Sequence, residues 1–167
     1  MRTLLLATLV VAATCGITTT LMQRRTSTPR PATGQTEPAI AKVADESATL
    51  FAEIEHRTGD DKPGQALRTI VNALRHRTAD TNGWVRLGDA LVQQSRDTLD
   101  TSLYRTVERV YLHARQLDPN NTEALAGLAW AAGASHRFED SVAWATLALK
   151  QNPDLPAAYG ILGDAAV

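Results

Sequence analysis

Four histidines, one cysteine and one pair of adjacent aspartates are the side chains best suited to chemistry in this chain of 167 residues. Catalysis or metal binding needs such groups to converge at fixed spacings. His56, His76, His113 and His136 are scattered, and no two stand at a ligand spacing. The chain contains no H-E-x-x-H, no glycine-rich phosphate loop and no nucleophile elbow. Cys15 is the sole cysteine, which excludes an intrachain disulfide and a cysteine-rich zinc site. Asp60 and Asp61 sit between Gly59 and Lys62, where a solvated turn accounts for them better than a metal site. Arg75-His76-Arg77 reads as a basic helix end that complements the helix dipole. With a net charge of −1, the whole chain gives a nucleic-acid partner no electrostatic support. No catalytic, cofactor-binding or metal-binding residue is expected, and the chain reads as non-enzymatic.

The elements that carry the remaining conspicuous residues repeat. Pro119 and Pro153 stand 34 residues apart, as do Ala114 and Ala148. Leu125, Leu128 and Ala129 return at the same interval as Tyr159, Leu162 and Gly163. A constant period in this range marks a helical solenoid. The stretch 122–153 reads as two short helices folded back on each other. Gly88, Ala129 and Gly163 fall where the first helix of a pair meets the second, because helices approach closely only over small side chains. Ala73, Ala114 and Ala148 take the matching positions on the second helix. Pro119 and Pro153 follow the helix ends, where proline cannot continue the ladder. The Asp118-Pro119-Asn120-Asn121-Thr122 stretch supplies turn and N-cap chemistry.

These residues resemble the tetratricopeptide repeat (TPR) pattern. Trp84-x-x-Leu87-Gly88, followed by Ala114 and Pro119, matches it, as does Leu125-x-x-Leu128-Ala129 with Ser141, Ala145, Ala148 and Pro153. Tyr159-x-x-Leu162-Gly163 opens a further copy. The resemblance implies an all-α fold: helical hairpins stacked in a right-handed solenoid, with repeats near 47–80, 81–121 and 122–155 and a partial one at 156–167. Trp84 and Tyr159 are then expected as core wedges, whereas Trp130 and Trp144 fall off the wedge positions.

The first repeat is degenerate. Leu50, Phe51 and Ile54 share one face of a helix that Asp45 or Ser47 could cap. In the second helix, 65–77, Ala66, Leu67, Ile70, Val71, Ala73 and Leu74 are expected to point inward. The second repeat is too long: Ala73 and Ala114 are 41 residues apart, seven more than the period. The excess falls at 94–102, as a longer hairpin or an exposed loop, with Asp100 or Ser102 capping the helix that follows.

In the TPR family, the first helix of each pair lines the concave surface. Carried over, the resemblance places Phe51 and Glu55 there, then Asn82, Val85, Asp89 and Val92 with Arg86 beside them. It adds Ala126, Trp130 and Gly133, then Gly160 and Asp164. This set is unlike the Lys/Asn/Arg clamp of repeats that hold acidic chaperone tails, since Val85 and Asp89 stand where Lys and Asn would be. An apolar or mildly basic peptide is expected, with Trp130 either as its anchor or packed on a neighbouring repeat.

The remainder of the chain differs in composition. Residues 3–23 carry no charged side chain and read as a signal peptide or a transmembrane anchor, within a segment bounded at 1–23. Cys15 follows Thr14, a weak match to a lipoprotein signal. Arg24, Arg25 and Arg30 outnumber Arg2, which alone would keep the following chain in the cytoplasm, yet the short leader favours export. Residues 24–44 are rich in Thr and Pro and read as a disordered tether ahead of a folded domain at 45–167. The expected protein is a scaffold or adaptor of the cell envelope, membrane-anchored or secreted, that binds a peptide segment of another protein. The layout is similar to that of repeat proteins of bacterial envelope assembly. Self-assembly through the apolar 156–167 segment, and a regulatory N-terminal part of a longer envelope-assembly protein, are the alternatives.

Overall fold

A computed structural model describes residues 36–165, with side chains over 45–164. The hydrophobic segment 3–23 and most of the tether lie outside the described residues. Among the described residues no helix is long and apolar enough to cross a membrane.

The described residues form seven α-helices in order: α1 (Thr36–Arg57), α2 (Lys62–Arg75), α3 (Thr81–Thr98), α4 (Tyr104–Leu117), α5 (Thr122–Ala134), α6 (Phe138–Gln151) and α7 (Pro156–Ala165). Their starts are written locally. The carboxylates of Asp61 and Asp80 accept from the backbone amides of Gly64 and Gly83, at 3.0 and 2.9 Å. The Asn121 side chain accepts from Ala124 N at 2.9 Å. Each oxygen satisfies an amide that the first helical turn leaves without a partner.

Helices α3 and α4 form one hairpin and α5 and α6 the next, with α4 packed on α5 and α6 on α7. The expected crossings hold at the first two small residues. Gly88 gives room to the Tyr111 ring, which a β-carbon there would meet at 2.6 Å. Ala129 is fully buried, and its carbonyl accepts from Ser141 Oγ across the hairpin at 2.8 Å. Gly163 departs from the expectation: it is exposed, and nothing lies within 4 Å of where its β-carbon would be. Tyr159 is 57% exposed, not a core wedge like the fully buried Trp84. By the repeat interval Tyr159 and Gly163 correspond to Leu125 and Ala129 of α5, and no described helix follows α7.

The first repeat also departs. Helix α1 is already helical at Thr36, the first described residue, so it occupies 36–44 of the segment expected to be a tether, and neither Asp45 nor Ser47 caps it. Ser47 is instead buried, and its hydroxyl lies 3.0 Å from Nε2 of His113 on α4. Glu53 accepts from Thr106 Oγ1 at 2.6 Å and from Arg109, and Arg57 donates to Ser102. Burial pushes the Glu53 carboxyl up, but Thr106, Arg109 and Arg105 outweigh it and hold the group below its ordinary range. Thus α1 lies along α4 and does not form a regular hairpin with α2. Helix α2 buries Leu67, Val71 and Leu74 but leaves Ala66 and Ala73 exposed, since the neighbour that would cover them is docked elsewhere.

One hydrophobic core joins α1 through α5 around Trp84, with Phe51 stacked on it at 5.0 Å and 8°. A second, built from Leu125, Ala129, Ala145, Ala148 and Ala158, joins α5, α6 and α7. Trp144 touches both, under the Arg115 guanidinium at 4.9 Å.

Candidate peptide-binding groove

Helices α3, α5 and α7, each the first of its pair, together line a groove of about 570 Å³. Helix α3 contributes Asp89, Val92 and Arg96, one face of the helix at intervals of three and four residues. Helix α5 contributes Glu123, Ala126, Gly127 and Trp130, and α7 contributes Ala157, Gly160, Ile161 and Asp164. The small side chains on α5 and α7 leave the floor open to a backbone, while Val92, Trp130 and Ile161 supply apolar surface. A smaller pocket of about 200 Å³ adjoins it, bordered by Trp130, Ile161 and Asp164 again and reaching Gly133, Ser141 and Phe138.

Trp130 stands between the two cavities, half-buried. Tyr104 packs edge-on against it, with centroids 5.5 Å apart at 86°. Arg96 lies over its face, with the guanidinium carbon 5.3 Å from the ring centroid. The indole is thus held at an edge, with one face toward a cation. Deeper in the groove, the Tyr111 hydroxyl donates to the Asp89 carboxylate at 2.6 Å. Burial and then the Asp89 carboxylate both push the Tyr111 phenol well above its ordinary value.

Of the residues that the resemblance placed on the concave face, Asp89, Val92, Ala126, Trp130, Gly160 and Asp164 line the groove, and Gly133 lines the smaller pocket. Phe51 and Val85 do not: each is only 3% exposed and belongs to the core. Phe51 is buried because α1 is pressed onto α3 and α4, which turns its ring onto Trp84. Glu55 pairs with Arg75 at 2.6 Å, away from the groove. Asn82 is exposed, and Arg86 lies 3.5 Å from Asp80 on the outer start of α3. Arg96, Tyr111, Gly127 and Ile161 were not anticipated. Arg96 was legible in principle: it follows Asp89 by seven residues, so a helix carried through the insertion puts both on one face. The insertion does continue α3, to Thr98, before a 3-10 turn at Thr101–Leu103 that Asp100 caps.

No cluster of three or more potential metal ligands occurs among the described residues. No protein-family model matches the chain, and no curated protein matches it. Solved structures do match, among them the TPR domain of Arabidopsis OM64, with a TM-score of 0.56 at 14% sequence identity, over 74% of this chain and 97% of that one. At that identity the likeness is one of fold, and it agrees with the repeat period and the hairpin crossings: the described chain is a TPR-like stack of helical hairpins.

Proposed function

We propose that this chain is a non-enzymatic scaffold that binds a peptide segment of another protein in the groove across α3, α5 and α7. Stacked hairpins create concave surfaces of this kind, and binding is their usual use. The observation that carries the reading is the half-buried Trp130, seated between an open apolar groove and a side pocket. A large aromatic at the centre of a concave surface is the typical anchor of a protein contact. The uncharged run at 3–23 supports a tether to, or export across, a membrane, and hence a place in the cell envelope.

Site-specific photo-crosslinking in cells tests it. A photoreactive residue in place of Ala157, inside the groove, is expected to trap a polypeptide, and one in place of Thr146, exposed on α6, is not. Trapping from both positions alike, or from neither, overturns the reading. The exposed face of Tyr159 favours a second reading, self-association through α7. Light scattering on the detergent-solubilised chain separates the two, since a monomer removes self-association.

A further inference from the structure

Three groove residues share one register of the repeat. Asp89 of α3, Trp130 of α5 and Asp164 of α7 all line the same cavity, and Trp130 and Asp164 stand one period of 34 residues apart. An indole face in a cavity whose walls carry carboxylates favours a cation, through the ring quadrupole and through charge. The molecule already seats one of its own cations there: Arg96, whose guanidinium carbon is 5.3 Å from the Trp130 centroid. Arg96 makes no ion pair among the described residues. Asp164 is exposed and likewise has no ion partner there.

Charge decides what the groove prefers. Its walls carry three carboxylates, those of Asp89, Glu123 and Asp164, against the single guanidinium of Arg96. An acidic ligand would meet net repulsion, and a basic one net attraction. Among basic side chains, the planar guanidinium suits the site better than an ammonium, since it stacks on an indole while donating to a carboxylate beside it. Resting on the reading of this groove as the partner-binding surface, we propose that the Asp89–Trp130–Asp164 row receives an arginine of the partner segment. Arg96 is its internal placeholder, reached because the insertion lengthens α3, and it leaves the ring when the partner's arginine arrives.

The test uses the full chain in detergent and three peptides of one scaffold, Ac-GSLALXALSG-NH2, with X as arginine, glutamine or glutamate. Tryptophan fluorescence and calorimetry read binding. The arginine peptide is expected to bind roughly fivefold tighter than the glutamine peptide, and the glutamate peptide weakest. Arg96→Ala is expected to tighten the arginine peptide by roughly threefold relative to the glutamine peptide, because only the former competes for the ring. Asp164→Asn, at an exposed and unpartnered position whose fold circular dichroism verifies, is expected to reduce the arginine preference toward parity. Equal binding of the arginine and glutamine peptides, or preference for glutamate, overturns this inference and leaves the groove reading standing. An arginine peptide that binds no better to Arg96→Ala removes the placeholder. If no peptide binds, the groove reading falls, and this inference with it.

Discussion

Gly127 lies so close beneath the ring of Tyr111 that a β-carbon at this position would stand 2.4 Å from ring atoms Cε1 and Cζ. Gly88 holds the other approach, with the same ring atoms 2.6 Å from its would-be β-carbon. The buried Tyr111 ring is therefore clamped between α3 and α5, and its hydroxyl reaches the groove at Asp89.

Replacing Gly127 with alanine inserts a methyl group against a ring that cannot retreat. The expected loss is about 1–3 kcal/mol from overpacking, of which better helix propensity returns up to about 1. Gly160→Ala on α7 meets nothing within 4 Å, so the same substitution there is expected to stabilise by up to about 1 kcal/mol. Urea unfolding of both variants checks the opposite signs.

Leu99 ends α3 in the left-handed region, at φ 55°, with 84% of its surface exposed. Its side chain contributes no burial, while its β-carbon strains the backbone. Leu99→Gly is expected to raise stability by about 0.5–1 kcal/mol, the relief of strain exceeding the entropy lost in the folded glycine. An unchanged or lowered thermal midpoint contradicts this.

His113 is fully buried against Trp84, with Ser47 at Nε2 and the Glu46 carboxylate 3.9 Å from Nδ1. Burial pushes its pKa below the ordinary 6.5, although Glu46 pulls the other way. The unfolded chain therefore takes up this proton first. Stability is whole above about pH 6.5 and is lost as pH falls from there toward the folded value. Glu53 acts lower still: held below its ordinary 4.5, its share is lost only as pH falls through its folded pKa. The unfolding midpoint in urea is expected to be lower at pH 5.5 than at pH 7.5. His113→Gln, which keeps a polar partner for Ser47 but does not titrate, is expected to lose most of that difference.

Tyr111 tests the groove wall. Burial and the Asp89 carboxylate raise its phenol, so it is expected to stay protonated through the pH range near 10 where an ordinary phenol ionises. The unfolded chain would release that proton, so stability declines as pH rises past about 10. Phenolate absorbance in the wild type and in Tyr111→Phe checks this: the two are expected to match through that range in the folded state. Tyr111→Phe is also expected to cost about 0.5–1.5 kcal/mol for the lost hydrogen bond.

Periodic features were legible in the sequence because each depends on a residue type at a fixed interval. Gly88 and Ala129 announce close helix crossings, Trp84 a buried wedge, and Asn121 with the preceding Pro119 a helix boundary. Concave-face residues such as Asp89, Trp130 and Asp164 followed from the same interval, through the family resemblance. These are local rules of helix geometry and small-residue packing, and they need no knowledge of distant contacts.

What the sequence alone left open is whatever depends on which neighbour arrives. Helix α1 could have paired with α2. Its docking on α4 buried Phe51, tied Ser47 to His113 and left Ala66 and Ala73 exposed. The side of α7 bearing Tyr159 and Gly163 stays open because no described helix covers it, whatever their pattern says. Arg96 came over Trp130 only because the insertion continued α3 as helix and did not loop out. In each case the deciding term is burial against a partner far away in the chain. Residue spacing sets which face a side chain occupies, and tertiary packing alone sets what that face meets.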